Sequence, residues 1–151
     1  MKKAVIITIA LLLAVCCAVT VNADENAATK TVQEFYKSIT AGSGDMIIGN
    51  LLTHDAIEKV SFYDESKDDE NDLVNALALA EMVKEGDVKI AFKDMKFNTL
   101  EKGSEKILLE TKYSAEVQTE GETHNFSGHD VFEVIKVDGK WLINTMTDKA
   151  E

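Results

Sequence analysis

The spacing of apolar side chains changes once along this chain, near residue 87. Before that point apolar residues recur every three to four positions; after it they alternate with polar ones. Ala28, Val32, Phe35, Tyr36 and Ile39 form one stripe and predict a helix over 27–41, with Asn26 as N-cap and Gly42 as stop. A second helical stretch, Met46 to Leu52, is headed by Asp45, weakened by Gly49, and restarts at Thr53 to run to about Val60. Asp64 to Asp72 is a charged loop. Asp72 then caps a third helix from Leu73 to Lys84, which stops at Gly86 and carries Leu73, Ala76, Leu77, Ala80 and Val83 on one side. The alternating part divides into strands at about 88–99, 105–118, 123–137 and 140–147. Glu120-Gly121 and Asp138-Gly139 are tight hairpin turns, and Lys102-Gly103-Ser104 is a looser one. Helices first and an antiparallel meander afterwards predict an α+β fold.

The Glu120-Gly121 turn sets a register. Pairing Thr119 with Glu122 places Val117 opposite His124, Ala115 opposite Phe126, Tyr113 opposite Gly128, Thr111 opposite Asp130 and Leu109 opposite Phe132. These residues, with Ile107 and Val134, make one face; the other carries Glu110, Lys112, Glu116, His129 and Glu133 and cannot be buried. The first face is therefore the one the helices cover. Asp130 breaks its apolar pattern. A carboxylate enclosed there has a raised pKa, which suits a general acid or base, and Tyr113 stands one diagonal step away. Asp130, Tyr113, His124, Phe126 and Phe132 are the expected pocket residues. The commoner role for such groups is structural: a carboxylate bonded to Thr111 or Thr147, a core tyrosine, an exposed histidine at a strand end. On the polar face, pairing Val137 with Lys140 gathers Val131, Ile135, Leu142 and Met146, an apolar patch suited to homodimerisation.

Composition narrows the functions. The 151 residues include 27 acids and 16 bases, for a net charge of −11; every base is Lys, and the chain has no Pro. Such a chain lacks the basic face that nucleic acid requires and cannot form a bidentate Arg clamp. Residues 1–23 have a Lys2-Lys3 head, an apolar run and Val21-Asn22-Ala23 at the end, the three parts of a signal peptide. Cutting after Ala23 leaves residues 24–151 as one domain, secreted or periplasmic, without either cysteine. Leu13-Ala14-Val15-Cys16 resembles a degraded lipobox, so lipid anchoring at Cys16 is the alternative address, and the membrane is otherwise not a partner.

No cofactor and no metal are expected. Asp68, Glu70 and Asp72 have the spacing of a calcium loop, but Leu73 and Leu79 stand where Gly and Glu are needed. His124 and His129 are five apart on one strand and face opposite ways. There is neither a Gly-rich phosphate loop nor a G-x-S-x-G elbow.

Two stretches carry a family likeness. Residues 31–42, TVQEFYKSITAG, resemble the opening helix of the NTF2-like (cystatin-like) superfamily, and residues 131–143, VFEVIKVDGKWLI, resemble its closing hairpin, where a Trp follows a tight turn. The resemblance spans 27–147. It implies three N-terminal helices packed on a curved four-stranded antiparallel sheet, a cone, and points to a secreted, lipoprotein-associated branch described as lumazine-binding-like. The superfamily holds isomerases, dehydratases, cyclases, transport factors and non-catalytic binding modules, so fold alone selects no activity. The leading expectation is a non-catalytic module that binds a small apolar or aromatic ligand, or a protein partner, in or beside its cone. The alternatives are a cofactor-free isomerase, dehydratase or cyclase using Asp130 and Tyr113, and an interaction module with a closed cone.

Overall fold

The computed structural model describes residues 23–64 and 71–149. The expected signal segment up to residue 22, Cys16 with it, and residues 65–70 of the charged loop lie outside the described residues. Among the described residues four helices precede a four-stranded antiparallel sheet of order β1-β2-β3-β4, an α+β fold.

Helix α1 covers 23–40. Its stripe is the centre of the core: Ala28, Val32 and Phe35 are fully buried and Tyr36 and Ile39 nearly so. Asn26 is inside the helix and exposed, not at its cap. Side chains at the start of α1 tie it to the sheet. Asp24 Oδ1 accepts from Lys136 Nζ at 2.9 Å and from Trp141 Nε1 at 3.1 Å, and Glu25 pairs with Lys102. Gly42 ends α1 with φ of 65°. A Cβ there would come within 2.7 Å of the Lys84 backbone nitrogen, so only glycine lets the α1 end approach the last turn of α4.

The second helical stretch is two helices, α2 (Gly44–Asn50) and α3 (His54–Ser61). Between them the chain dips onto the sheet edge. Ile143 N–H donates to Leu51 O, and Thr53 N–H donates to Ile143 O, at 2.8 and 2.9 Å, burying Leu51 and Leu52. Two helices separated by a short extended contact replace the single interrupted helix of the sequence reading. Asp45 lies in the first turn of α2 instead of capping it, and Thr53 caps α3 by accepting from Ala56 N–H. Helix α4 (Asp72–Glu85) is capped by Asn71, not by Asp72. Asp72 Oδ2 instead accepts the Asp148 backbone N–H at 2.9 Å. Gly86, with φ of 89°, closes α4.

The strands are β1 (Val88–Lys102), β2 (Lys106–Thr119), β3 (Glu122–Val137) and β4 (Lys140–Asp148). The β2–β3 register is that set by the Glu120-Gly121 turn, pair for pair from Thr119–Glu122 to Ile107–Val134. Both tight turns have positive φ at each central residue, the geometry that matches strand twist.

Of the three register shifts in the sheet, between Lys93 and Lys96, Thr99 and Glu101, and Glu133 and Val134, the first and last redirect core side chains. Around Asp94, with φ of 53°, the register shifts between Lys93 and Lys96, so Phe92, Met95 and Phe97 all turn toward the helices. Around Asn144 the β3–β4 register shifts, and Met146 pairs with Phe132 instead of Val131. Met146 therefore packs against the core, and the polar-face patch expected from the sequence keeps only Val131, Ile135 and Leu142, each half-buried. The bulged Asn144 is held on both sides, by Thr53 Oγ1 at 2.9 Å and Glu133 Oε1 at 2.7 Å.

Candidate functional site

Five aromatic rings fill the inside of the cone. Phe35 and Tyr36 come from α1, Phe92 from β1, Tyr113 from β2 and Phe132 from β3. Tyr36 lies at its middle, edge-on to Phe92, Tyr113 and Phe132 with centroids 4.9, 5.4 and 5.8 Å away. Tyr113 folds across β3 over Gly128. A Cβ at 128 would lie 2.2 Å from the Tyr113 ring, so that glycine exists to admit the tyrosine.

Asp130 sits beneath this cluster, 1% exposed. The Tyr36 hydroxyl donates to its Oδ2. Asp130 Oδ1 and Thr111 Oγ1, a directly opposed pair across β2 and β3, have no hydrogen-bond partner among the described residues. Burial pushes the Asp130 carboxyl up to about 6. The Tyr36 and Tyr113 hydroxyls pull it down, and the charges of Asp148 and Asp72 push it further up. Burial and the Asp130 charge raise both tyrosines above the usual phenol range.

Two grooves flank the cluster. One, of about 670 Å³, runs between α1 and β1. Its apolar floor is Tyr36, Phe92, Met95 and Phe97, and Gln33, Lys37 and Thr40 form its rim. Lys37 is engaged by Glu34 at 2.8 Å. The Asp94 bulge, pinned by Ser114 Oγ at 2.9 Å, is what brings Met95 into this floor. The other groove, of about 920 Å³, lies between α3, α4 and β4, with Phe62, Tyr63, Asp72, Asn144 and Asp148 among its walls. Three of its polar side chains are already employed: Asn144 in holding Thr53 and Glu133, Asp72 in receiving the Asp148 N–H, Asn71 in capping α4. The α1–β1 groove is smaller, but it alone of the two includes a residue of the buried aromatic and acid cluster.

Of the residues expected from the sequence, Asp130, Phe132 and Tyr113 come together inside the cone. Phe132 is fully packed, with nothing left to offer a ligand. His124 and Phe126 do not join them. His124 is exposed beside Glu122 at 3.4 Å, and Phe126 is 45% exposed. The reason is length: a 16-residue strand reaches about 50 Å, whereas the 18-residue α1 reaches about 27 Å, so the β2–β3 hairpin end projects beyond the helices. Tyr36 was read as a member of the core stripe and its role was missed. Its signal was a lone hydroxyl on an apolar helix face in a chain whose sheet turns Asp130 toward that helix. Met95 and Phe97 were missed because strict alternation does not foresee a bulge. His129 lies on the convex face, paired with Glu110 at 2.8 Å, away from His124. Among the described residues no three His, Cys, Asp or Glu side chains are placed to hold a metal ion, and no helix is long and apolar enough to cross a membrane.

No family model matches this sequence, and no curated protein matches it significantly. Solved structures do share its fold. A Novosphingobium aromaticivorans protein provisionally named a scytalone dehydratase is similar with a TM-score of 0.57 at 12% identity, over 89% of this chain and 93% of that one. An NTF2-like protein of unknown function from Shewanella oneidensis has a TM-score of 0.43 at 12% identity, over 84% and 99%. Another from Prochlorococcus has a TM-score of 0.38 at 18% identity, over 50% and 63%. The first likeness establishes the fold class, a helix-lined cone on a curved sheet, and at this identity it establishes nothing finer.

Proposed function

We propose that this chain is an exported, non-catalytic module, of the lumazine-binding-like kind that its sequence resembles, which binds a small apolar or aromatic ligand in the α1–β1 groove. The observation that carries this reading is the make-up of the groove floor. Phe92, Met95 and Phe97 are partly open on it, and Tyr36, 2% exposed, backs it with its hydroxyl committed to Asp130. A ligand in the groove meets aromatic and thioether surface with a few polar groups at the rim, which is the usual make-up of a small-molecule site, and the volume falls in the usual range. The buried Asp130 carboxylate, 1% exposed, is out of its reach. The test is a calorimetric titration of neutral aromatic compounds into the purified protein and into a Gln33→Trp variant, whose indole, on the groove side of α1, covers the groove. Saturable binding that the variant loses is expected; binding that survives Gln33→Trp contradicts the assignment.

A second reading has one observation in its favour. Asp130, raised to about 6 and bonded to a tyrosine that reaches the groove, has the properties of an acid or base working near neutrality. A cofactor-free isomerase, dehydratase or cyclase would use it, and the provisionally named dehydratase of the same fold is in keeping with that. Such an enzyme requires Tyr36 to move aside so that substrate touches the carboxylate, and the arrangement described here holds Tyr36 in place on four sides.

A further inference from the structure

Tyr36 belongs to the groove and to the buried acid at once, so what happens in one reaches the other through a single ring. Asp130 is poorly compensated in its ionised form. The titratable groups facing it are Tyr36 from α1, Tyr113 from β2, Asp148 from β4 and Asp72 from the head of α4. Two are hydroxyls and two are carboxylates; none is a cation. Its Oδ1 and the opposed Thr111 Oγ1 both lack partners, and opposed side chains in a sheet are within reach of one another. Ionised, Oδ1 is a buried charge with no donor bonded to it, and a proton there removes that charge. The neutral acid thus fits this site better than the anion.

We propose that the α1–β1 groove takes up a neutral aromatic ligand together with a proton on Asp130, so that pH sets the ligand's affinity. The inference rests on the groove being the ligand site. An occupant replaces the water of the groove beside Tyr36, itself only 2% exposed, and lowers the polarity around the acid beyond it. That disfavours the charged carboxylate, and by linkage whatever favours the protonated acid favours the ligand. The same fields select against an anionic ligand. The chain carries a net charge of −11, and Lys37, the cation at the groove rim, is already paired with Glu34.

The probes are N-phenyl-1-naphthylamine, which is neutral, and its sulfonated relative 8-anilino-1-naphthalenesulfonate. Each is titrated by fluorescence into the wild type, Asp130→Asn and Gln33→Trp. For the wild type the neutral probe should bind roughly three- to tenfold more tightly at about pH 5 than at about pH 8, the ratio given by a half- to one-unit shift of one linked group. Asp130→Asn should bind it with no such slope, and the sulfonated probe should bind more weakly throughout. A wild-type affinity that is flat with pH, or a slope that persists in Asp130→Asn, overturns the proton linkage and leaves the groove assignment standing. Failure of the neutral probe to saturate, or saturation unaffected by Gln33→Trp, overturns the groove assignment and the linkage with it. Should Asp130→Asn not fold, the Asp130 carboxyl carbon is followed by NMR in the wild type: its titration midpoint must rise when the neutral probe is added, and an unmoved midpoint refutes the linkage.

Discussion

Burial sets Asp130 apart from the other shifted carboxylates of this chain. Asp24, Glu25, Glu34 and Glu116 are held below their usual range chiefly by hydrogen bonds from lysines. At Glu110, hydrogen bonds from Asn98 and His129 and the charge of Lys112 outweigh a desolvation that pushes the other way. All five favour folding at neutral pH and lose that contribution as pH falls. Asp130 has the opposite sign. Its carboxyl rises from 3.8 to about 6 on folding, so the native state holds the proton longer than the unfolded chain. Its contribution is fully present below about pH 4 and is lost as pH climbs through about 6. The loss is on the order of 3 kcal/mol, about two units at 1.36 kcal/mol each. Asn at 130 accepts from Tyr36 with its oxygen and offers an N–H toward Thr111 without ever ionising. Asp130→Asn is therefore expected to be more stable than the wild type at about pH 8 and to match it at about pH 4. Denaturant unfolding of both proteins across that range measures the difference; a variant less stable than the wild type at both ends refutes the account of this residue.

At the scale of elements, helix ends and bulges do the positioning. Gly42 combines a positive φ with a backbone approach that leaves no room for a Cβ, so Gly42→Ala must either strain the turn or push α1 off α4. A loss of roughly 2–4 kcal/mol is expected, read as a lowered midpoint in urea, and a change under about 0.5 kcal/mol contradicts the packing described. Local signals made much of the fold legible in advance. The α1 stripe follows from helical periodicity. The β2–β3 register follows from Glu120-Gly121, and with it the inward direction of Asp130, because a one-residue slip would bury Glu110 and Glu116. What stayed hidden was not local. Strict alternation carries no mark of the bulges at Asp94 and Asn144, so Met95 was not placed in the groove and Met146 was placed on the wrong face. The partition of α2 from α3 depends on Leu51 and Thr53 meeting Ile143, which is far away in sequence. The Tyr36–Asp130 contact joins residues 94 apart and needed the helix laid on the sheet. His124 and Phe126 were assigned the correct face of the sheet but a stretch of it that no helix covers.

The whole molecule is a cone that its own side chains fill. Rings from α1 and three strands close the interior over Asp130, and the apolar space left open lies to one side, between α1 and β1. The larger groove beside α3 and α4 has Asn71, Asp72 and Asn144 tied into structure. A net charge of −11 spread over the surface repels anions from both. The central claim is thus one of place: the ligand lies against Tyr36 and β1. Intermolecular NOEs between bound N-phenyl-1-naphthylamine and the protein test it most directly. The account predicts contacts from the naphthyl protons to the Met95 methyl and to the rings of Tyr36 and Phe97. Contacts to Phe62 and Met146 in the other groove, with none to Met95, would contradict it.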